Sequence, residues 1–313
     1  MNKNIENPQI LAFVGPTGIG KTAIAMELAH EWHIPIISCD SMQIYHYMDI
    51  GTAKPTAEEQ QVVPHLMIDC ADPDEHYDAC RYRQETLDII QSLSGELKNP
   101  FVVGGTGFYL KALLEGLFEE VKIPLDFRQT LMDKYQSWDN LLLHEQLIKT
   151  DPETAQRLHP NDRKRVLRAL EVYEFTGNPL SWYHQQHKQR QSTVESLVIG
   201  LRMPMPDLYK QIGCRVERMM AQGWVDEVIF LREKGYSPSL NSMQGLGYRQ
   251  INDYLEGRLD YSQLPEIITQ VTCQYAKRQM TWFRGNPHLI WYDRDHPHLL
   301  SEIKEKGRIF WKL

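Results

Sequence analysis

The sequence predicts an α/β fold built on a parallel sheet, and three observations lead to this expectation. An apolar run, Ile10–Val14, leads directly into a glycine-rich segment, Gly15–Thr22. Two further apolar runs, at 34–38 and 100–103, alternate along the chain with segments of helical character. Each apolar run ends in small or polar residues. Strands that alternate with helices imply a doubly wound sheet with helices on both faces, and ligands bind beyond the carboxyl ends of its strands.

The first strand, Gln9–Val14, is followed by Gly-Pro-Thr-Gly-Ile-Gly-Lys-Thr, which matches the phosphate-binding loop G-x-x-x-x-G-K-[ST]. The glycines let backbone N–H groups turn toward an anion, Lys21 adds positive charge, and the Thr22 hydroxyl can hold Mg²⁺. A helix from Thr22 to about Trp32 directs its positive dipole end to the same place. The sequence therefore predicts a P-loop NTPase-like sheet core that binds a diphosphate or polyphosphate. The residues assigned to this site are Gly15, Thr17, Gly18, Gly20, Lys21 and Thr22.

Two more strands end close to this loop in the predicted sheet. The second strand ends at Cys39-Asp40-Ser41, and a helix is expected near 78–93, after a good capping segment. The third strand, 100–103, runs into Gly104–Gly107. Because the carboxyl ends of parallel strands meet at one edge, we expect Asp40 and the glycines to lie beside the phosphate-binding loop.

The segment from about 118 to 195 has strong helix signal and weak strand signal. Helices are predicted at 126–138, 141–149, 152–158 and 162–176. A strand at 196–203 then returns to the sheet, and the remainder is helical, with a last apolar stretch at 288–292. We therefore predict a core of residues 1–117 and 196–313 that is interrupted by a helical insertion domain, 118–195.

Composition bounds the class of protein. The chain has 313 residues, 42% of them hydrophobic and 24% charged, with a net charge of −7, as expected of a soluble globular protein. Five cysteines without a C-x-x-C pair indicate neither a disulfide framework nor a zinc site. The polar N-terminus and the lack of a long apolar run predict no signal peptide and no membrane span, so we expect a cytoplasmic protein.

The chemistry of Asp40 stays open on residue type alone. An ordinary P-loop ATPase has an apolar strand that ends in an aspartate for Mg²⁺, whereas Phe101–Val103 ends in glycines. A carboxylate beside a diphosphate site can act as a metal ligand, a general base or a structural cap. The missing aspartate weakens an ATPase interpretation but does not exclude a small-molecule kinase.

A local excess of positive charge lies within the predicted insertion. Residues 157–190 contain seven Lys or Arg and three acids, a net charge of +4 in an otherwise acidic chain. Such a run met in isolation is usually a solvated helix face. Four tryptophans, by contrast, are predicted to lie in the core or at subdomain contacts rather than to stack on bases. They are Trp182, Trp224, Trp282 and Trp291.

An ordered set of motifs resembles the tRNA dimethylallyltransferase family from about residue 10 to residue 292. The matching segments are Gly15–Thr22, Asp40–Tyr45, Gly51–Pro55, Val63–Asp69, Val103–Tyr109, His159–Asp162, Arg168–Tyr173, Gly247–Arg249 and Ala276–Arg284. The P-loop alone is common to many folds, whereas the ordered set is highly specific. The family often has a second arginine one turn before Arg215, and this chain has Gln211 there.

The resemblance implies transfer of a dimethylallyl group from dimethylallyl diphosphate to N6 of the adenosine just 3′ of the anticodon. The P-loop would then hold the diphosphate of the donor, with Mg²⁺ on Thr22 as the implied cofactor. Asp40 is the base that the family uses at this position, assisted by Lys21 and Thr106. Arg215 is carried over as a residue on the diphosphate side.

The resemblance also implies a set of tRNA contacts, with Gln43 as a reader of the adenine edge and the basic helix as a contact to the anticodon stem-loop. The implied tRNA-binding residues are Asp40, Ser41, Gln43, Thr106, Arg128, Lys164, Arg165, Arg168, Gly247, Tyr248 and Arg249. We expect a monomer that has no membrane partner. Two alternatives remain: a P-loop kinase, and a prenyltransferase that acts on free adenine nucleotides.

Overall fold

The computed structural model describes residues 8–95, 99–116, 123–188 and 194–312. The chain divides into two compact units. The first unit is Met1–Glu115 with Thr193–Leu313, and the second is Gly116–Ser192. We describe each unit by itself.

The first unit contains a parallel sheet. Its strands are β1 (Gln9–Val14), β2 (Ile36–Cys39), β3 (His65–Leu66), β4 (Phe101–Gly104), β5 (Glu195–Arg202) and β6 (Ile290–Asp293). Their spatial order is β3-β2-β4-β1-β5-β6, and every pair of neighbours is parallel. All residues of β1 from Ile10 to Val14 are buried, so helices cover both faces of the sheet there. This confirms the predicted fold class.

The helices of the two units follow in chain order. The first unit has α1 (Lys21–Trp32), α2 (Ala57–Val62), α3 (Ala79–Gly95) and α4 (Gly107–Glu115) before the second unit. The second unit has α5 (Leu125–Tyr135), α6 (Asn140–Thr150), α7 (Pro152–Arg157), α8 (Arg163–Thr176) and α9 (Leu180–Lys188). The first unit then continues with α10 (Met205–Ala221), α11 (Trp224–Glu233), α12 (Tyr248–Leu255), a 3₁₀ turn (Tyr261–Gln263), α13 (Leu264–Arg284) and α14 (Leu299–Trp311).

The second unit has its own apolar core, which is built by helices α5 to α8. Its buried members include Leu131, Leu143, Leu147, Val166 and Leu170. Asp151 lies between α6 and α7 and connects both helices to α9. Its side chain caps α7 by accepting from Thr154 N at 3.0 Å, and it also accepts from Ser181 N at 2.9 Å. Burial disfavours the charged form of Asp151, but these hydrogen bonds outweigh it and lower the pKa of the carboxyl.

Several elements were not predicted from the sequence, namely α2, α4, α9 and β3. The strand β3 has only two residues, too few to show an alternating pattern. The helix α9 was not predicted either, since its sequence Leu-Ser-Trp-Tyr-His-Gln-Gln-His-Lys is largely polar. The helix after the P-loop begins at Lys21, one residue before the predicted Thr22. The other predicted strands and helices agree within a few residues.

Candidate active site

A single cavity of about 450 Å³ lies at the carboxyl ends of β1, β2 and β4. Each of these strands contributes the residues that follow it. The loop after β1 supplies Thr17 to Thr22, the end of β2 supplies Asp40, and the end of β4 supplies Gly105. All the residues that line the cavity belong to the first unit. The parallel sheet therefore brings together segments that lie far apart in the sequence, as expected for a doubly wound fold.

The P-loop has the backbone conformation that its glycines permit. Gly18 and Gly20 have φ of +82° and +88°, which side chains rarely adopt. At Gly18 a Cβ would also lie 2.7 Å from Ile212 Cγ1. Lys21 folds back over the loop, and its Nζ donates to Pro16 O at 2.9 Å. Gly15 lies at the start of the loop but does not line the cavity.

Two cations face the cavity from different elements. Lys21 comes from the start of α1 and Arg215 from the middle of α10, and both side chains are half-buried. Withdrawal from water, together with the charge of Arg215, lowers the pKa of Lys21 to about 8, although Asp40 opposes this shift. Burial likewise lowers the pKa of Arg215. Because these two partly desolvated cations repel each other, this part of the cavity favours binding of an anion.

Asp40 follows β2 directly and lies beside these cations. Its Oδ1 accepts from Met42 N at 2.9 Å and from Gln43 N at 3.4 Å, which closes a turn. Within the described residues, Oδ2 accepts no hydrogen bond. The structure thus assigns Asp40 a capping role through one oxygen and leaves the other oxygen available to a ligand.

Gln43 lines the same cavity, but its amide group is already engaged. Oε1 accepts from Ser38 Oγ at 2.9 Å, and Nε2 donates to Thr52 O at 3.3 Å and to Ala53 O at 3.2 Å. In this conformation the amide orders the segment from Thr52 to Ala53. It can contact a base only if it exchanges one of these bonds.

Thr106 connects the ends of β2 and β4. Its Oγ1 accepts from Ser41 N at 3.1 Å, and its own N–H donates to Cys39 O at 3.1 Å. Ser41 lines the cavity, whereas Thr106 lies just behind it. Through these hydrogen bonds, Thr106 holds Ser41 and the adjoining turn of Asp40 in place.

Gln279 is a site residue to which sequence reasoning gave no role. It is buried on α13, where its Oε1 accepts from Thr17 N at 2.9 Å and its Nε2 donates to Gly105 O at 2.8 Å. One amide thus joins the P-loop to the end of β4. The matched segment Ala276–Arg284 contained the only signal that could have revealed it. Two other side chains of α13, Tyr275 and Arg278, also line the cavity.

Glu227 on α11 is a second residue that was missed. Its carboxylate accepts from the backbone N–H groups of Asp49, Ile50 and Gly51 at 2.8, 2.6 and 3.2 Å. It also accepts from the hydroxyl of Tyr248 at 2.6 Å. One carboxylate therefore holds the loop after β2 against α12. No sequence motif indicated this, because the donors at residues 49–51 and the donor Tyr248 lie far apart in the chain.

Three predicted RNA contacts lie at the start of α12, and the structure separates them. Gly247 packs on Trp224, and a Cβ there would lie only 1.9 Å from that indole. Tyr248 is buried, with its hydroxyl on Glu227, so its position favours a structural role. Burial first, and then Glu227, raise the pKa of Tyr248 well above its usual value. Arg249 is exposed.

The basic side chains of the second unit also fall into two groups. Glu171 is buried and pairs with both Arg128, at 3.2 Å, and Arg168, at 2.9 Å. In contrast, Lys164 and Arg165 are exposed, and Arg165 pairs with Asp162 at the helix N-terminus and with no other carboxylate in the described part of the chain. The predicted tRNA contacts on this unit are therefore not equally available.

The four tryptophans that were predicted to lie in the core or at subdomain contacts differ in burial. Trp224 is 2% exposed and lies in the core, Trp291 is half-buried, and Trp182 and Trp282 are 43% and 46% exposed. Trp182 and Trp282 are therefore not core residues, since an isolated tryptophan in a helical segment carries no information about which side of the helix meets solvent.

In the described parts of the chain, no helix is long and apolar enough to cross a bilayer.

Comparison with known proteins places this geometry in a family. Residues 43–286 match the family model "IPP transferase", and residues 8–73 match "Isopentenyl transferase". The tRNA dimethylallyltransferase of Syntrophobacter fumaroxidans is 44% identical over 94% of this chain and 86% of its own length. That of Thermotoga petrophila is 43% identical over 93% and 94%.

Solved structures agree with these relatives. The tRNA isopentenylpyrophosphate transferase of Bacillus halodurans superposes with a TM-score of 0.72 and is 34% identical, covering 97% of each chain. A eukaryotic dimethylallyltransferase acting on tRNA superposes with a TM-score of 0.78 at 26% identity, covering 96% of this chain and 78% of that one. This chain therefore belongs to the IPP transferase family, the family of the tRNA dimethylallyltransferases.

Proposed function

We propose that this protein transfers the dimethylallyl group of dimethylallyl diphosphate to N6 of the adenosine 3′-adjacent to the anticodon of tRNA, with release of diphosphate. One observation carries the proposal. A phosphate-binding loop, two partly desolvated cations and a carboxylate with one unengaged oxygen line a single cavity. This set provides both parts of a prenyl transfer, namely stabilisation of a leaving diphosphate and removal of a proton from the acceptor.

The donor side of the cavity stabilises the leaving group. As the allylic C–O bond breaks, its electron pair moves to the diphosphate, whose negative charge grows in the transition state. We expect the backbone N–H groups of Gly18 and Gly20 and the side chains of Lys21 and Arg215, all of which line the cavity, to stabilise that charge. A bound diphosphate also favours the charged form of Lys21, which opposes the desolvation that lowers its pKa in the free protein.

The acceptor side supplies the base. The adenine N6 lone pair is shared with the ring, so the amine becomes a good nucleophile only as it loses a proton. Asp40 Oδ2 would take that proton while N6 bonds to the allylic carbon. Met42 N and Gln43 N hold Oδ1 and thereby set the direction of Oδ2.

The residues present fit a magnesium ion at this site. Thr22 lines the cavity at the start of α1, and a hydroxyl oxygen is a ligand that Mg²⁺ accepts together with phosphate oxygens and water. Among the described residues there is no cluster of three or more His, Cys, Asp or Glu side chains that could hold a metal alone. When bound, the ion would neutralise part of the charge on the diphosphate.

For the macromolecular partner, the exposed cations Lys164, Arg165 and Arg249 are proposed to contact the anticodon stem-loop. Such contacts to phosphates supply affinity through counterion release. We further propose that the protein acts as a monomer.

The names of the relatives favour a tRNA acceptor over the two alternatives, a kinase and a prenyltransferase for free nucleotides. The test is incubation with labelled dimethylallyl diphosphate and tRNA, AMP or ATP in separate reactions. We expect label in tRNA only. Label in AMP or ATP with unlabelled tRNA would support the free-nucleotide alternative, and rapid ATP hydrolysis without transfer would support a kinase.

A further inference from the structure

Two aromatic side chains that no part of the proposed chemistry uses lie exposed together on the first unit. Trp282 on α13 and Phe108 on α4 are 46% and 52% exposed, and their rings meet edge to face with centroids 6.5 Å apart. Gly107 allows this contact, because a Cβ there would lie 2.1 Å from Trp282 Cδ1. Large aromatic side chains that remain in water side by side indicate a surface that a partner covers.

The pair lies at the rim of the cavity. Arg278 lines the cavity and is one helical turn before Trp282 on the same side of α13. On the α4 side, Gly105 lines the cavity and precedes Phe108 by three residues in the chain. Between them, Thr106 holds Ser41, the neighbour of Asp40. The aromatic surface therefore begins where the wall of the cavity ends.

Arg278 supplies a positive charge on the same side of α13 as Trp282. Its side chain is exposed, and within the described residues no carboxylate forms an ion pair with it. Lys277 and Arg284 are also exposed, but the helical repeat places them on the other side of α13, where Lys277 lines a separate groove against α10. An uncompensated cation beside exposed aromatic rings is a combination that binds single-stranded nucleic acid, since rings stack on bases while cations meet phosphates.

We propose that Trp282 and Phe108, with Arg278 beside them, form a stacking surface for unpaired bases of the tRNA loop that flank the target adenosine. The inference rests on the proposed function, which requires one base to leave its stack and enter the cavity. The bases next to it then lose a stacking neighbour, and an aromatic surface at the rim replaces that contact.

The test compares single variants in equilibrium binding to tRNA and to the isolated anticodon stem-loop. Trp282→Ala should weaken binding to both RNAs by roughly 5- to 100-fold, which is the usual effect of removing one aromatic–base stack. Trp282→Phe should restore most of the affinity. Tyr261→Ala, which removes an aromatic residue that is 53% exposed on the 3₁₀ turn, is the matched control and should change nothing.

A second measurement does not depend on the packing of Trp282. Arg278→Gln removes the positive charge beside the rings and should reduce the slope of log affinity against log salt by about 0.7 for the lost phosphate contact. Arg284→Gln, which changes an exposed cation on the other side of α13, is the matched control and should leave the slope unchanged. Binding of dimethylallyl diphosphate should be unchanged in Trp282→Ala and Arg284→Gln.

The outcomes separate this inference from the proposed function. If the wild-type protein does not transfer the prenyl group to tRNA, the proposed function fails. If the wild type does so, but folded Trp282→Ala and Arg278→Gln bind tRNA with the affinity and salt dependence of the wild type, only the stacking surface is refuted. The aromatic pair would then be assigned to a protein partner.

Discussion

The P-loop in the first unit and the basic helix α8 in the second unit were both singled out in the sequence, but the two signals have different value. The P-loop motif describes a backbone conformation, and the structure has it, with positive φ at Gly18 and Gly20 and α1 beginning at Lys21. The basic run describes only a count of charges. In the structure, Arg163 donates to Trp138 O at 2.7 Å and to Tyr135 O at 3.0 Å, which ties α8 to α5.

A motif with a steric reason therefore identifies individual positions, whereas a charge excess identifies only a region. Within that region the structure distinguishes cations that hold the unit together, Arg163 and Arg168, from those that remain exposed, Lys164 and Arg165.

The largest effect is expected at Asp40. Asp40→Asn retains an oxygen that can accept from Met42 N but cannot take a proton at neutral pH, so prenyl transfer should fall by ~10²–10⁴-fold. The measurement is single-turnover transfer with labelled donor, together with tRNA binding, which should be preserved. Asp74→Asn on the surface is the matched control. Turnover of Asp40→Asn near that of the control would contradict the assignment of a base.

Lys21 should make donor binding depend on pH. Because burial and Arg215 lower the pKa of Lys21 to about 8, kcat/KM for the donor should decrease above about pH 8. Lys21→Met should raise the donor KM, slow transfer and abolish this part of the profile. The unfolded chain keeps Lys21 protonated up to about 10.5, so the free energy of unfolding should increase with pH between 8 and 10.5 in the wild type. An identical pH profile in the variant would be inconsistent with a charged Lys21 on the diphosphate.

Glu227 should act on the acceptor side through the loop that it holds. Glu227→Gln places an NH₂ group where backbone N–H groups now donate, and leaving such donors unpaired costs about 1–3 kcal/mol. We expect the KM for tRNA to rise by roughly tenfold while the KM for the donor stays near the wild-type value. Asp226→Asn, which changes the exposed neighbour, is the control. Equal increases in both KM values would indicate general loosening of the fold instead.

The smallest effects are expected for the cations of α8, and they should differ between exposed and structural side chains. Lys164→Gln with Arg165→Gln should flatten the salt dependence of tRNA binding by about one unit of slope per lost phosphate contact and leave the melting temperature unchanged. Arg163→Gln should instead lower the stability by about 1–3 kcal/mol, because two carbonyls lose a charged donor. Lys149→Gln on α6 serves as the exposed control. If Arg163→Gln instead changed the salt dependence of tRNA binding and left the stability unchanged, the division of the α8 cations into structural and exposed groups would be wrong.

A feature could be predicted from the sequence where neighbouring residues in the chain determine it. The strands β1, β2, β4 and β5 were predictable because each is a continuous apolar run, and Asp40 was placed beside the P-loop by the rule that parallel strand ends meet. The bridge by Gln279 was not predictable, since Thr17 N and Gly105 O come together only when α13 packs over the sheet. The same holds for Glu227.

Burial of single side chains was the least predictable property. Tyr248 was expected to contact RNA and is buried, whereas Trp282 was expected to lie in the core or at a subdomain contact and is exposed on the first unit. Both lie in segments that match the family, and such a match does not reveal which side of a helix meets solvent. Only the packing of Tyr248 on Trp224, with its hydroxyl on Glu227, and of Trp282 on Gly107 decides between the two environments.

The central claim is that this cavity joins a prenyl group to an adenosine in tRNA with Asp40 as the base. The most direct test is nucleoside analysis of tRNA after incubation with dimethylallyl diphosphate and either wild-type protein or Asp40→Asn. We predict N6-dimethylallyladenosine at the position 3′-adjacent to the anticodon with the wild type, and almost none with the variant. Unmodified tRNA with the wild type, or equal modification with both proteins, would contradict the claim.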